Sequence, residues 1–132
     1  MTGYSGKPLR QKLELAAGTR LAVFNPPDNY FELLGDTDGI DFAADFDAPL
    51  DAAHAFVTTT AELRQLVAGL LPALALAGKL WVSWPKQSAG VESDLNENVI
   101  RDVILPLGLV DVKVCAVDDT WSGLKLVRRK GQ

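Results

Sequence analysis

The run Leu80-Trp81-Val82-Ser83-Trp84 is apolar almost throughout and stops on Pro85-Lys86. A strand with one wet face alternates apolar and polar residues, whereas a strand without alternation is covered on both faces. Helices must therefore lie above and below this strand, which points to parallel pairing through helical crossovers. Proline cannot donate to a ladder, so Pro85 ends the strand.

The flanking segments fit that demand. Residues 7–15 predict a short helix with Leu9, Leu13 and Ala16 on one side, ended by Gly18. Residues 20–24 predict a strand, stopped by Asn25-Pro26-Pro27. Asp28 is placed to cap a two-turn helix with Phe31 and Leu34 inward and Gly35 at its end. Residues 40–44 predict a weak strand and 51–58 a central one. Thr59 and Glu62 have the spacing of a capping box. They open a helix with the stripe Leu63, Leu66, Val67, Leu70 and Leu71, interrupted at Pro72 and closed by Gly78. After the strand at 80–84 comes a polar loop. Ser93 then caps a helix with Leu95, Val99, Ile100, Val103 and Ile104 inward, ended by Pro106 and Gly108. Residues 109–117 and 121–129 predict a hairpin joined by Asp118-Asp119-Thr120. With right-handed crossovers, the expectation is a three-layer α/β sheet of six strands in the order 2-1-3-4-6-5, only the last antiparallel.

Length and charge limit what such a fold can do. The 132 residues predict a single α/β domain over 1–132. No apolar stretch reaches the roughly 18 residues of a membrane span. The N-terminus lacks the apolar segment of a secretion signal, and the expected compartment is the cytoplasm. One cysteine and one histidine exclude a cysteine-based zinc cage, so no metal is expected. Residues 21–63 carry nine acidic groups and no Lys or Arg, on a chain of net charge −4. That balance, with aromatics not interleaved with a basic patch, argues against nucleic acid.

The order of elements resembles the Rossmann-like domain of S-adenosylmethionine (SAM)-dependent methyltransferases over residues 18–129, with one strand-helix unit missing. The motifs Leu-Trp-Val-Ser-Trp-Pro-Lys at 80–86, Val-Ile-Arg at 99–101, Leu-Pro-Leu-Gly-Leu-Val-Asp at 105–111, Lys-Val-Cys-Ala-Val-Asp at 113–118 and Trp-Ser-Gly-Leu-Lys-Leu-Val at 121–127 resemble a family of short bacterial proteins of unknown function. Tyr4-Ser5-Gly6 with Pro8-Leu9 is similar to that family's N-terminus. The methyltransferase resemblance implies a glycine-rich turn after the first strand, where backbone approaches the cofactor. Here Asn25-Pro26-Pro27 stands in its place, so no cofactor is expected.

Ligands of open α/β sheets sit outside the carboxyl ends of the strands. That edge gathers Asn25, Thr58, Thr59, Trp84, Lys86, Asp118, Asp119 and Trp121 as candidate ligand-binding residues. The two indoles are expected side by side, with Lys86 near Asp118 or Asp119. The threonines at 58–60 could hold a phosphate at a helix N-terminus or serve only as caps. His54 reads as a hydrogen-bonded core residue and Cys115 as an inert thiol. The leading reading is a non-catalytic, methyltransferase-like module that binds a small molecule or a protein partner at this edge. A small enzyme using Trp84, Lys86, Asp118 and Trp121, and a structural homo-oligomer, are the alternatives.

Overall fold

The computed structural model describes residues 7–44 and 49–130. Tyr4-Ser5-Gly6, and Asp45 and Asp47 of the acidic run, lie outside the described residues. The elements are α1 (Leu9–Lys12), β1 (Arg20–Phe24), α2 (Tyr30–Leu34), β2 (Asp41–Phe42), β3 (Leu50–Phe56), α3 (Thr60–Leu70), β4 (Leu74–Pro85), α4 (Glu97–Ile104), β5 (Leu109–Ala116) and β6 (Trp121–Arg128). Short 3-10 turns follow β4 at Gln87–Ala89 and α4 at Leu105–Leu107.

The six strands of the described residues form one sheet in the order β2-β1-β3-β4-β6-β5. β6 runs antiparallel to both neighbours, and the other pairs are parallel. One face is covered by α3 and α4, with Leu63, Val67, Ile100 and Ile104 against Leu80, Val82 and Trp84. The other is covered by α1 and α2, with Leu9, Leu13, Tyr30 and Leu34 against Leu21, Phe56 and Trp81. Trp81 is fully buried, as a strand covered on both sides requires. Among the described residues, no helix is long and apolar enough to cross a membrane.

Several local expectations are corrected by tertiary contacts. α1 stops at Lys12 rather than running to residue 15, because the next residues are tied down individually. Leu13 O accepts the Trp81 Nε1–H at 3.2 Å, and Glu14 O accepts Lys79 Nζ at 2.6 Å. Glu14 is forced to φ 59°, and its carboxylate bridges Lys113 (3.2 Å) and Lys125 (2.7 Å). These two ammoniums hold the Glu14 carboxyl at about 2, well below its usual value. In α2 the buried aromatic is Tyr30, while Phe31 is 58% exposed. Asn29, not Asp28, occupies the N-cap, without a side-chain bond.

β4 is longer than residues 80–84. α3 ends at Leu70, and pairing with β3 begins at Leu74, so Gly78 does not close the helix. Leu50 pairs with Leu74 and Ala52 with Lys79, so residues 75–78 bulge out of the ladder. The Arg128 guanidinium gathers the carbonyls freed there, donating to Leu71 O (2.8 Å), Leu74 O (3.0 Å) and Ala75 O (2.6 Å). α4 is capped by Asn96, whose Oδ1 accepts from Val99 N at 2.9 Å. Ser93, the expected cap, donates instead to Thr58 O at 2.7 Å and accepts from Leu95 N.

Candidate functional site

The parallel strands bring their carboxyl ends together as the topology demands. Val57 N donates to Ser83 O at 2.9 Å, joining the ends of β3 and β4. Lys86 N donates to Thr120 O at 2.8 Å, and Pro85 pairs with Trp121, which fixes the β5–β6 turn to the end of β4. Asp118 shapes that turn: its Oδ1 accepts from Thr120 N (2.9 Å) and Trp121 N (2.8 Å). Asp119 is exposed at its tip.

The edge does not form one shared cleft. Trp84 pairs with Ser122, one step from the Pro85–Trp121 pair, so the two indoles point to opposite faces. Trp84 packs on the α3/α4 side. Trp121 packs on the α1/α2 side, its ring 5.1 Å from Phe56 in an edge-to-face contact. The expected indole pair is therefore absent, for a reason of strand parity. Lys86 also forms no ion pair with Asp118 or Asp119 among the described residues, since the Asp118 carboxylate is turned onto backbone N–H groups.

The threonines act as caps. Thr58 N, Thr58 Oγ1 and Thr59 N all donate to Glu62 Oε1, while Thr59 Oγ1 accepts from Glu62 N at 3.1 Å, completing the capping box. Thr60 N donates to Asp94 Oδ1 at 2.8 Å. Two carboxylates thus occupy the N–H groups that a phosphate would need. The phosphate expectation fails there, because a second anion would meet those charges.

Two clefts of about 370 Å³ each lie at this edge, one lined by Asn25, Val57, Glu62 and Leu66 and the other beside Trp84. The second is lined by Trp84, Pro85, Gln87, Asn96, Asn98 and Arg101, together with Leu95 and Glu97. The indole is 7% exposed and supplies an apolar floor. Side-chain amides form much of the rim. Asn98 Oδ1 accepts from Arg101, whose guanidinium also pairs with Glu97 and Asp111 at 2.9 Å each. Besides these accepting oxygens, Asn96 and Asn98 each carry an amide nitrogen able to donate.

The groups best suited to acid–base or nucleophilic work lie elsewhere. His54 is fully buried between Tyr30 OH (2.9 Å from Nδ1) and Ser83 Oγ (2.7 Å from Nε2). Burial pulls its pKa down to about 3 and pushes the Tyr30 hydroxyl up. Cys115 is half-buried, and desolvation raises its thiol against the opposing pull of Lys12 and Lys113. Sequence reasoning missed Tyr30 and Ser83 as partners of His54. The signal was the alternation of β4, which places Ser83 on the same face as Trp81.

The fold is a methyltransferase-like Rossmann fold. The chain is similar to a ribosomal protein L11 methylase from Lactobacillus delbrueckii subsp. bulgaricus, with TM-score 0.58 and 14% identity over 92% of this chain and 76% of that one. A SAM-dependent methyltransferase from Aquifex aeolicus superposes with TM-score 0.59 at 11% identity, covering 89% and 88%. A putative type 11 methyltransferase from Sulfolobus solfataricus gives 0.57 at 15%, covering 94% and 78%. At these identities the likeness establishes the fold. No protein-family model matches the chain, and no curated protein matches it in sequence.

Such a fold implies SAM at the point where strand order reverses, between β1 and β3. The residues there do not fit it. Asn25 adopts φ 56°, and its Nδ2 reaches across to Phe56 O at 3.4 Å, bridging the ends of the two strands. Pro26 and Pro27 offer no N–H, and no glycine follows before Gly35.

Proposed function

We propose that this chain is a non-catalytic, methyltransferase-like module that binds a small molecule at the carboxyl edge of its sheet, in the cleft beside Trp84. The observation that carries this reading is the composition of that cleft: an indole lined by a few side-chain amides, a mixture of apolar surface and polar groups such as small-molecule sites use. The absence of catalysis is supported by the fate of the reactive groups. The chain's one histidine is held in the core and stays neutral, and its one thiol is pushed up. The N–H groups at the start of α3 are filled by carboxylates of the chain itself.

The test uses the three indole N–H signals of ¹⁵N-labelled protein, with Trp84→Phe assigning one of them. A panel of nucleosides, amino acids and their phosphates is titrated in. Compounds that bind should shift the Trp84 indole and the Asn96 and Asn98 amides, while the buried Trp81 signal stays in place. Binding that leaves those groups unmoved would place the site elsewhere, and chemical turnover of a bound compound would end the non-catalytic reading.

A further inference from the structure

On the α1/α2 face, beyond Trp121, a cavity of about 290 Å³ opens beside the edge strand β5. Its lining is Lys7, Gln11, Lys12, Lys113, Cys115 and Ala116. Three ammoniums thus surround one small space on a chain whose net charge is −4. Lys12 is fixed at the wall by a bond from Nζ to Ala116 O at 2.7 Å. Lys86 lies close enough to act on Lys12 electrostatically, so the cluster reaches the carboxyl edge of the sheet. Two carboxylates offset part of this charge, Glu14 through Lys113 and Asp118 through its pull on Lys12, and both are also held by other groups. Glu14 is shared between Lys113 and Lys125, and Asp118 accepts backbone N–H groups of its own turn. Like charges gathered around a cavity raise the local potential and favour a bound anion.

We propose that Lys7, Lys12 and Lys113 form a binding site for a compact multivalent anion of the phosphate class, seated in the cavity over Cys115. The chemistry of the donors selects that class. The planar fork of arginine holds carboxylate and phosphate alike in bidentate fashion, whereas the lysine ammonium acts as a compact point charge, so a lysine cluster favours the anion with the most charge in the least volume. No arginine lines this cavity. Its volume suits an anion of phosphate or diphosphate size rather than a whole nucleotide. The site is on the opposite face of the sheet from the Trp84 cleft and does not depend on it.

Cys115 is the chain's single cysteine and lines the cavity, so its alkylation by neutral iodoacetamide reports occupancy. Inorganic pyrophosphate should slow that reaction saturably, beyond sodium chloride at equal ionic strength. Citrate should do so less well. Lys12→Gln should bind pyrophosphate about fivefold more weakly, the scale of one charge at a partly exposed site. Arg64→Gln, on the exposed side of α3, should bind as the wild type does. Lys7→Gln carries the same test through an exposed side chain if Lys12→Gln does not fold. Equal slowing by chloride, equal or better binding of citrate, or undiminished binding by a folded lysine variant would overturn the proposal.

Discussion

His54 is fully buried and held at both ring nitrogens, which couples its protonation to folding. An unfolded histidine takes up a proton near pH 6.5, whereas the folded one stays neutral down to about 3. Between those values the unfolded chain binds more protons, so its contribution is complete above pH 6.5 and is lost as pH falls. Glu14 acts in a lower window, from its ordinary value near 4.5 down to about 2. The slope of stability between pH 6.5 and 4.5 should therefore be steep in the wild type and much flatter in His54→Gln. That variant should also be less stable at pH 7, by about 2 kcal/mol, because Tyr30 or Ser83 loses its buried partner. Urea melts across this pH range check both effects. The core role of His54 was legible from its mid-strand position among Ala53, Ala55 and Phe56. Alternation along β4 signals Ser83, but nothing local signals Tyr30, which comes from α2, far away in sequence.

Elements whose signals are local were readable, and those decided by distant contacts were not. The capping box Thr59–Glu62 needs only residues three apart, and it forms as expected. The start of β4 depends on how residues 71–78 meet Arg128, more than fifty positions later in the chain, and no local pattern announces that. Likewise α1 ends where Glu14 takes φ 59°, with Leu13 O held by Trp81 and Glu14 held by Lys79, Lys113 and Lys125. The bulge at 75–78 also explains Gly78, which the sequence suggests is a helix stop. A Cβ there would lie 2.8 Å from both Leu74 Cγ and Cδ1, and 2.9 Å from Ala75 O. The carbonyl belongs to the loop that Arg128 clamps, so it cannot easily yield. Gly78→Ala should destabilise the protein by about 2 kcal/mol, the usual scale of overpacking in a tight site. Thermal melts showing an unchanged midpoint would mean that the bulge relaxes at little cost.

At the scale of the whole molecule, strand order was legible because each crossover connection allows few alternatives, and apolar runs say which strands are central. The candidate edge was legible for the same reason: topology alone brings Asn25, Thr58, Trp84 and Lys86 to one side. Which way each side chain faces was harder to read. It rests on the register of β6 against β4, where one step separates Trp84–Ser122 from Pro85–Trp121 and sends the indoles apart. The likeness to the three methyltransferase structures above covers 89–94% of this chain, so the fold is shared. The residues at its edge do not fit the cofactor. A cofactor at the reversal point between β1 and β3 needs backbone that approaches closely and donates N–H groups. This chain supplies two prolines and an asparagine that spans the gap to Phe56 O. SAM should therefore bind negligibly, and calorimetric titration at protein concentrations of tens of micromolar, about the range where weak cofactor binding is measurable, should show no saturable heat. Asn25→Gly would remove the bridge to β3 but leave both prolines, so it should not restore binding. A micromolar dissociation constant for the wild type would show that the β1–α2 turn accommodates the cofactor without glycine, and the reading of this edge would have to change with it.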